Sequence, residues 1–186
     1  FTSISTFLAC FSLLGLNTYT LKEVYRKNSD TERRELYANM FPFIFFWNII
    51  LSAISYPILL FLIPRFFHEI QIEPYLIIAM FRIVGASLII IPQIIFRVAR
   101  KPFLYGLAST GTIIISQTLS VALVIKMPFG YSKFAGIVMG DLIVGGISLF
   151  IIIYSSKKRG LKLFNGAEIK RGLYFGYPLI LTSILT

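Results

Sequence analysis

Two side chains on which many enzymes depend are nearly missing from this chain. Cys10 and His68 are its only cysteine and its only histidine. A disulfide within the chain is therefore impossible, and the sequence offers no plausible Ser-His-Asp triad, His-Glu-x-x-His motif or Cys/His zinc site. It also lacks a glycine-rich phosphate loop ending in Lys-Ser or Lys-Thr. We therefore predict that the chain is not an enzyme and needs no cofactor and no metal.

Charge is scarce as well, and acidic charge most of all. Charged residues make up 14% of the chain, with 18 Lys and Arg against 8 Asp and Glu, whereas 56% of the residues are hydrophobic and the mean hydropathy is +0.80. A soluble domain is about 45–50% apolar even when glycine is counted. The charges lie between long apolar runs, which is typical of a polytopic membrane protein. Since the basic residues lie in short loops beside these runs, membrane topology explains them and we expect no nucleic-acid partner.

The apolar runs predict an all-α fold, a polytopic membrane helix bundle. A helix needs about 20 apolar residues to cross the hydrocarbon layer of a bilayer. Before the second run, Ser29 and Glu32 have the Ser-x-x-Glu spacing of a capping box and predict a helix start. The chain begins without methionine and ends within an apolar run, so we expect it to be an internal piece of a longer protein. The predicted spans are 2–19, 36–63, 74–96, 104–125, 131–154 and a last one that begins at 172.

The orientation of these spans follows from the basic residues of the connectors. The first, third and fifth connectors hold 14 Lys and Arg, whereas the second and fourth hold 3. Short basic loops remain in the cytoplasm. The odd-numbered connectors are therefore predicted to be cytoplasmic.

The fifth span, 131–154, has a carboxylate near its middle. Asp141 follows a Gly-x-x-x-Gly pair formed by Gly136 and Gly140. A charged side chain at the bilayer centre is unfavourable by a few kcal/mol on insertion scales, so it usually faces a cavity or an opposite charge. The two glycines lack side-chain bulk and predict a face on which another helix packs closely.

Arg82, inside the third span, is the only intramembrane charge that could complement Asp141. Counted from the predicted span starts, Arg82 and Asp141 lie about 12 Å and about 15 Å deep. One interpretation is a structural ion pair, or two independent residues that face water. The other is that Arg82 presents a cation to an anionic substrate, while Asp141 balances it or titrates with a coupling proton. Both interpretations remain open at the level of sequence.

The fourth span carries a stripe of hydroxyl side chains at the spacing of one helix face. Hydrogen bonding between helices is the commoner explanation of such residues. Lining a hydrated pathway is the alternative, slightly favoured here because Gln117 lies beside the stripe. Asn48 of the second span raises the same choice, with packing favoured over binding. The stripe consists of Ser109, Thr112, Ser116 and Ser120.

Three stretches resemble one family. Residues 11–25 are similar to the end of its second helix with a basic exit. Residues 97–107, with the entry Pro-Phe-Leu-Tyr-Gly, look like its turn between the fourth and fifth helices. Residues 170–180, which read Lys-Arg-Gly-Leu-Tyr-Phe-Gly-Tyr-Pro-Leu-Ile, resemble the start of its seventh helix. The family is that of the bacterial oligosaccharide and polysaccharide flippases of the multidrug/oligosaccharidyl-lipid/polysaccharide exporter superfamily.

The resemblance implies a two-lobe, alternating-access exporter in the bacterial cytoplasmic membrane. Residues 1–154 would be helices two to six of the N-terminal lobe, 155–171 a basic cytoplasmic linker between the lobes, and 172–186 the start of the C-terminal lobe. The implied partners are undecaprenyl-pyrophosphate-linked oligosaccharide, membrane lipids and polysaccharide polymerase machinery. The resemblance carries over no binding residue.

Three other functions compete with this one. A multidrug or cation antiporter of the same superfamily would use Asp141 as its ion-coupling site, although a cationic substrate favours several carboxylates. A membrane polysaccharide polymerase or ligase would need a long external loop, which the connectors of this chain do not supply. A purely structural membrane scaffold would leave Arg82 and Asp141 unexplained.

Overall fold

The computed structural model describes residues 11–66, 74–126, 132–158, 160 and 164–185, with the side chains of 66 and 179–185 excepted. Within these ranges the chain forms helices and no strand, which confirms the all-α prediction. Cys10 and His68 lie outside the described residues. The helices are α1 (Leu16–Arg26), α2 (Asp30–Phe66), α3 (Tyr75–Val98), α4 (Pro102–Lys126), α5 (Ser132–Lys158) and α6 (Gly166–Leu185).

Four of these helices, α2 to α5, are long and apolar enough to cross a membrane. They correspond to the second to fifth predicted spans, and the chain is therefore a membrane protein. Their outward faces expose more large apolar side chains than a water-soluble surface tolerates, as expected where lipid is the solvent. Examples are Ile50, Ile54, Phe61, Ile113, Ile125, Ile147 and Phe150.

The first predicted span, 2–19, is wrong at its C-terminal end. Its part within 1–10 lies outside the described residues, and residues 11–13 are helical, but Leu14 and Gly15 have φ of 48° and 67° and interrupt the helix. Two successive left-handed residues cannot continue a right-handed helix. A new helix, α1, begins at Leu16 and extends to Arg26, so the predicted loop 22–35 is helical over its first five residues.

The start of α2 agrees with the capping signal. The hydroxyl of Ser29 accepts a hydrogen bond from the backbone N–H of Thr31 at 3.2 Å. This contact satisfies one of the N–H groups that the first turn of a helix leaves without a partner. The predicted helix start is confirmed.

The helices pack around α5. It makes its most extensive contacts with α3 and α4, while α3 also packs on α2. Leu88 and Ile91 of α3 and Leu149 of α5 enter the main apolar core with residues of α1 and α2. A second, smaller apolar cluster joins α2 and α3 around Ile63 and Leu76.

The start of α6 is attached to α1 and α2 by polar contacts. The Asn165 N–H donates to the side-chain oxygen of Asn39 at 2.7 Å. Glu168 accepts a hydrogen bond from the Tyr19 hydroxyl at 3.4 Å and lies 3.8 Å from the Lys27 ammonium. Since α5 continues to Lys158 and α6 begins at Gly166, helix covers both ends of the predicted linker 155–171.

These contacts place the fifth connector near the first, and the third connector lies at the same end because Arg100 and Lys101 line one cavity with Asp30 and Arg33. We call it the basic end, defined by the connectors α1–α2, α3–α4 and α5–α6. The common location agrees with the predicted topology, in which these three connectors share one side of the membrane.

Candidate functional site

Gly136 and Gly140 of the fifth span lie in a close contact between α4 and α5. Gly136 is buried against the backbone of Ser120, and Gly140 is buried against Ser116. A Cβ atom at either glycine would overlap with atoms of α4. The α4–α5 contact therefore requires the absence of a side chain at these two positions.

Asp141 lies where α3, α4 and α5 meet. Its side-chain oxygen accepts a hydrogen bond from the Ser116 hydroxyl of α4 at 3.1 Å. On the side of α3, a Cβ atom at Gly85 would lie 3.0 Å from the Cβ of Asp141. Asp141 remains partly exposed, so the carboxylate lies at the edge of the three-helix contact and not at its centre.

Arg82 lies within electrostatic range of Asp141 but does not form a salt bridge with it. The guanidinium is among the charges that act on Asp141, yet no nitrogen–oxygen distance of 4.0 Å or less joins the two among the ion pairs of the described residues. The Arg82 side chain is exposed. Of the interpretations that the sequence left open, a closed ion pair is not the arrangement found.

Arg82 belongs to a polar face of α3. Ala86, Ile89, Gln93 and Arg97 follow it at i+4, i+7, i+11 and i+15, positions that share one side of a helix, so two apolar residues lie between Arg82 and the polar pair Gln93 and Arg97. Arg82, Ala86 and Arg97 are exposed, whereas the opposite face of α3 enters the apolar core. We call this side the polar face; its two arginines, Arg82 and Arg97, lie about 22 Å apart along the helix, at about 1.5 Å per residue.

Toward the basic end this face borders a cleft. The cleft has a volume of about 170 Å³ and lies between α1, α3 and the first turn of α4. Asn17, Gln93 and Arg97 supply its polar groups. Sequence reasoning missed this cleft, although the helical spacing of Gln93 and Arg97 relative to Arg82 could have indicated it. Its apolar and aromatic lining consists of Leu21, Ile90, Ile94 and Tyr105.

The hydroxyl stripe of α4 faces α5. Thr112, Ser116 and Ser120 are buried. The Ser120 hydroxyl is within hydrogen-bonding distance of the carbonyls of Ser116, at 2.8 Å, and Lys133 on α5, at 3.0 Å. Hydrogen bonding between helices therefore describes this stripe better than the hydrated pathway that the sequence slightly favoured.

The remaining two residues of that group differ from the stripe. Gln117 is exposed on another side of α4. The Ser109 hydroxyl oxygen is buried and has no hydrogen-bond partner in the part of the chain that the structure describes. Among the described residues no hydrogen bond or ion pair joins either of them to Arg82, so the structure does not join the predicted polar set into one site.

Asn48 is a packing residue. It is fully buried, and its side-chain oxygen accepts a hydrogen bond from the Ser12 hydroxyl at 2.6 Å. Its side-chain nitrogen is within hydrogen-bonding distance of the carbonyls of Ser12, at 3.0 Å, and Ile44, at 2.7 Å. The amide thus connects α2 to the helical residues before α1 and has no exposed atom for a ligand.

No family model, curated protein or solved structure matches this chain. The resemblance to the flippases therefore stays a prediction. What the described residues offer is a membrane helix with one polar, open face, flanked by a carboxylate on the neighbouring helix.

Proposed function

We propose that this chain is part of a transporter that moves lipid-linked oligosaccharides across the bacterial cytoplasmic membrane by alternating access. The single observation that carries the proposal is Arg82, an exposed arginine within a membrane helix that forms no ion pair with another described residue. The transporter class and the substrate come from the resemblance of three stretches to the flippase family. The geometry of α3 supports them as follows.

An arginine near the middle of a span is unfavourable in lipid. Insertion scales place its cost at about 2.5–3.5 kcal/mol at the helix centre, so such residues face a cavity or pair with another group. Arg82 lies about 10 Å beyond the start of α3 at Tyr75. Because no acidic residue forms a salt bridge with it in the described ranges, its charge is available to an anion.

The diphosphate of a lipid-linked oligosaccharide fits this requirement. Arg82 would attract the phosphates electrostatically, and Gln93 and Arg97 would extend the polar path toward the basic end. Asp141, close enough to act on Arg82 without closing on it, would limit the affinity and so allow release of the substrate. Rocking of one lobe against another would expose the polar face to alternate sides of the membrane.

The cation antiporter is the second candidate, favoured by the position of Asp141. A partly exposed carboxylate with one hydroxyl donor, Ser116, is a plausible site for a proton or Na⁺. The nearby positive charge of Arg82 disfavours a cationic substrate in the same place. Asp141→Asn distinguishes the two functions: an antiporter would lose ion coupling, whereas a flippase would retain more activity than the Arg82→Ala variant.

The proposal is tested by complementation. The gene is deleted in its host and replaced by the full-length wild type, Arg82→Ala, Arg82→Lys, or Arg65→Ala as a matched loss of an exposed arginine at the C-terminal end of α2. Membrane amounts are equalised by immunoblot and surface polysaccharide is measured. We expect Arg82→Ala to produce much less surface polysaccharide than the wild type and Arg82→Lys to produce an intermediate amount. Arg65→Ala should produce as much as the wild type.

Two results would contradict the proposal. Unchanged polysaccharide in the Arg82→Ala strain would remove Arg82 from the mechanism. Unchanged polysaccharide in the deletion strain, together with increased sensitivity to cationic drugs, would favour the antiporter.

A further inference from the structure

Two adjoining cavities at the basic end contain an excess of positive charge. The larger, of about 590 Å³, lies between α1, α2 and the end of α3, and the smaller, of about 410 Å³, lies between the end of α3 and the start of α4. Arg100 and Lys101 line both cavities. We call the two together the basic-end pocket.

The acidic charge within this pocket is already neutralised. Asp30 is the only carboxylate among the residues that line it. Its side-chain oxygen lies 3.4 Å from the Arg33 guanidinium. Arg34, Arg100 and Lys101 form no ion pair with other described residues. The pocket therefore has several cations without an internal counter-charge.

The backbone between α3 and α4 holds the two shared cations in place. Arg100 adopts a left-handed conformation with φ of 52°, and its N–H donates to the carbonyl of Arg97 at 3.2 Å. The N–H of Lys101 donates to the carbonyl of Phe96 at 3.1 Å. A three-residue turn closed by these bonds presents both side chains from a fixed backbone, which reduces the entropy lost on binding.

The walls of the pocket are those of a site at the membrane surface. Ile95 and Val98 supply apolar surface, and Tyr25 and Tyr37 supply rings with a polar tip. Tyrosine favours the level of the lipid headgroups, and Ile95 and Val98 lie at the end of α3, one of the helices long and apolar enough to cross a membrane. A ligand here would meet cations on one side and apolar surface on the other.

We infer that the basic-end pocket binds the phosphate headgroup of an anionic lipid in the adjoining leaflet. Basic pockets between transmembrane helices on the cytoplasmic side recognise such headgroups, and the volume of the larger cavity lies in the range of ligand sites, about 300–1,000 Å³. The site goes beyond the proposed transport, because Arg82 does not line it and it requires no oligosaccharide, although the smaller cavity shares Arg97 with the proposed substrate path. A bound lipid would connect α2 to the α3–α4 turn.

The test uses the full chain, purified in a neutral detergent. Affinity is measured by thermophoresis for short-chain phosphatidic acid, short-chain phosphatidylcholine and inorganic pyrophosphate. The variant Arg100→Gln/Lys101→Gln removes the two shared charges. The matched control Lys157→Gln/Lys158→Gln removes the same charge from the last turn of α5, at the same end but outside the pocket lining.

We expect phosphatidic acid to bind the wild type more tightly than phosphatidylcholine does. The affinity for phosphatidic acid should fall about 30-fold in Arg100→Gln/Lys101→Gln, because the variant lacks two basic residues near the headgroup. The control should retain its affinity, and added salt should weaken binding of the wild type. Arg34→Gln, which changes the opposite wall of the pocket on α2, should also bind phosphatidic acid more weakly. Because this variant leaves the α3–α4 turn unchanged, a folding defect of that turn could not explain its loss of affinity.

Three outcomes would overturn the inference. Equal losses in the variant and the α5 control would indicate unspecific attraction to the basic end. Equal affinity for phosphatidic acid and phosphatidylcholine would remove the phosphate monoester as the recognised group. Tight binding of pyrophosphate without competition by phosphatidic acid would assign the pocket to a soluble phosphate compound. None of these results bears on Arg82, so the transport proposal is tested separately.

Discussion

Polar side chains occur along two neighbouring helices of the bundle, and they do opposite things. On α4, Ser116 and Ser120 are buried against α5, and their hydroxyls form hydrogen bonds with other groups of the protein. On α3, Arg82 and Arg97 are exposed along a face that no described helix covers completely. Both sets have helical spacing in the sequence.

The difference between them lies in the size of the residues that face them. The α4 stripe meets Gly136 and Gly140, which allow two backbones to approach until no space for water remains. On the polar face of α3, in contrast, none of the described glycines has Arg82, Gln93 or Arg97 among its nearest neighbours, and the two arginines remain exposed. A polar stripe in a membrane helix is thus a packing surface when it lies opposite small residues, and otherwise a candidate for hydration.

The largest effect expected from this comparison is that of Gly140→Ala. Its Cβ would overlap with Ser116, and we expect a loss of about 3 kcal/mol in stability, the upper part of the usual range for overpacking. The loss of stability is measured by heating the protein in detergent and monitoring the decrease of its monodisperse peak in size-exclusion chromatography. Gly146→Ala on the same helix is the control, because its Cβ would meet nothing within 4 Å. Equal stability of both variants would contradict the close α4–α5 contact.

Asn48→Leu should have the second largest effect. The substitution leaves the Ser12 hydroxyl and two carbonyls without their side-chain partner, and we expect a loss of about 1–2 kcal/mol. The same unfolding assay applies, with the exposed Asn28→Leu as a control of similar chemistry. If Asn48→Leu instead left stability unchanged and abolished transport, Asn48 would be a binding residue.

Ser116→Ala should have a smaller effect. It removes one hydroxyl that bonds Asp141, and hydrogen bonds between membrane helices are worth about 0.6 kcal/mol on average. Gln117→Ala, one residue farther and exposed, should change stability less. A larger loss in Gln117→Ala would mean that α4 is rotated relative to the arrangement described here.

Arg82→Gln should have the smallest effect on stability. This result would distinguish the exposed polar face of α3 from the buried hydroxyl stripe of α4. Exposed substitutions usually change stability by no more than about 0.5 kcal/mol. Breaking a buried ion pair, in contrast, costs about 3–5 kcal/mol. Unfolding of Arg82→Gln beside wild type decides between these values, and a loss in the higher range would show that Arg82 is a structural partner of Asp141.

Part of this structure was predictable because it depends on local sequence. The apolar runs predicted α2 to α5 as candidate spans, and Ser29 predicted the start of α2. The break at Leu14 and Gly15 was not predictable in this way, since a lone glycine in an apolar run is compatible with a continuous membrane helix. The break lies against α6: a Cβ atom at Gly176 would overlap with the Leu14 carbonyl, so the two segments approach at backbone distance.

The candidate site was predictable only in its components. Spacing from the span starts placed Arg82 and Asp141 at similar depth, and the structure brings them within electrostatic range. The sequence spacing could not predict that the Ser116 hydroxyl donates a hydrogen bond to Asp141, nor that Arg82 remains exposed. The basic-end pocket was missed because its lining comes from four helices, α1 to α4, and basic connectors alone indicate only topology.

By itself, the amino-acid sequence determined that this chain is helical and lies in a membrane, because hydrocarbon cannot hydrogen-bond the backbone and apolar runs of this length satisfy it within helices. Only the tertiary structure decided which polar residues are buried between helices and which remain exposed. That decision depends on how each helix is rotated about its axis, and the rotation is set by the fit of small residues against neighbouring helices, as at Gly136 and Gly140.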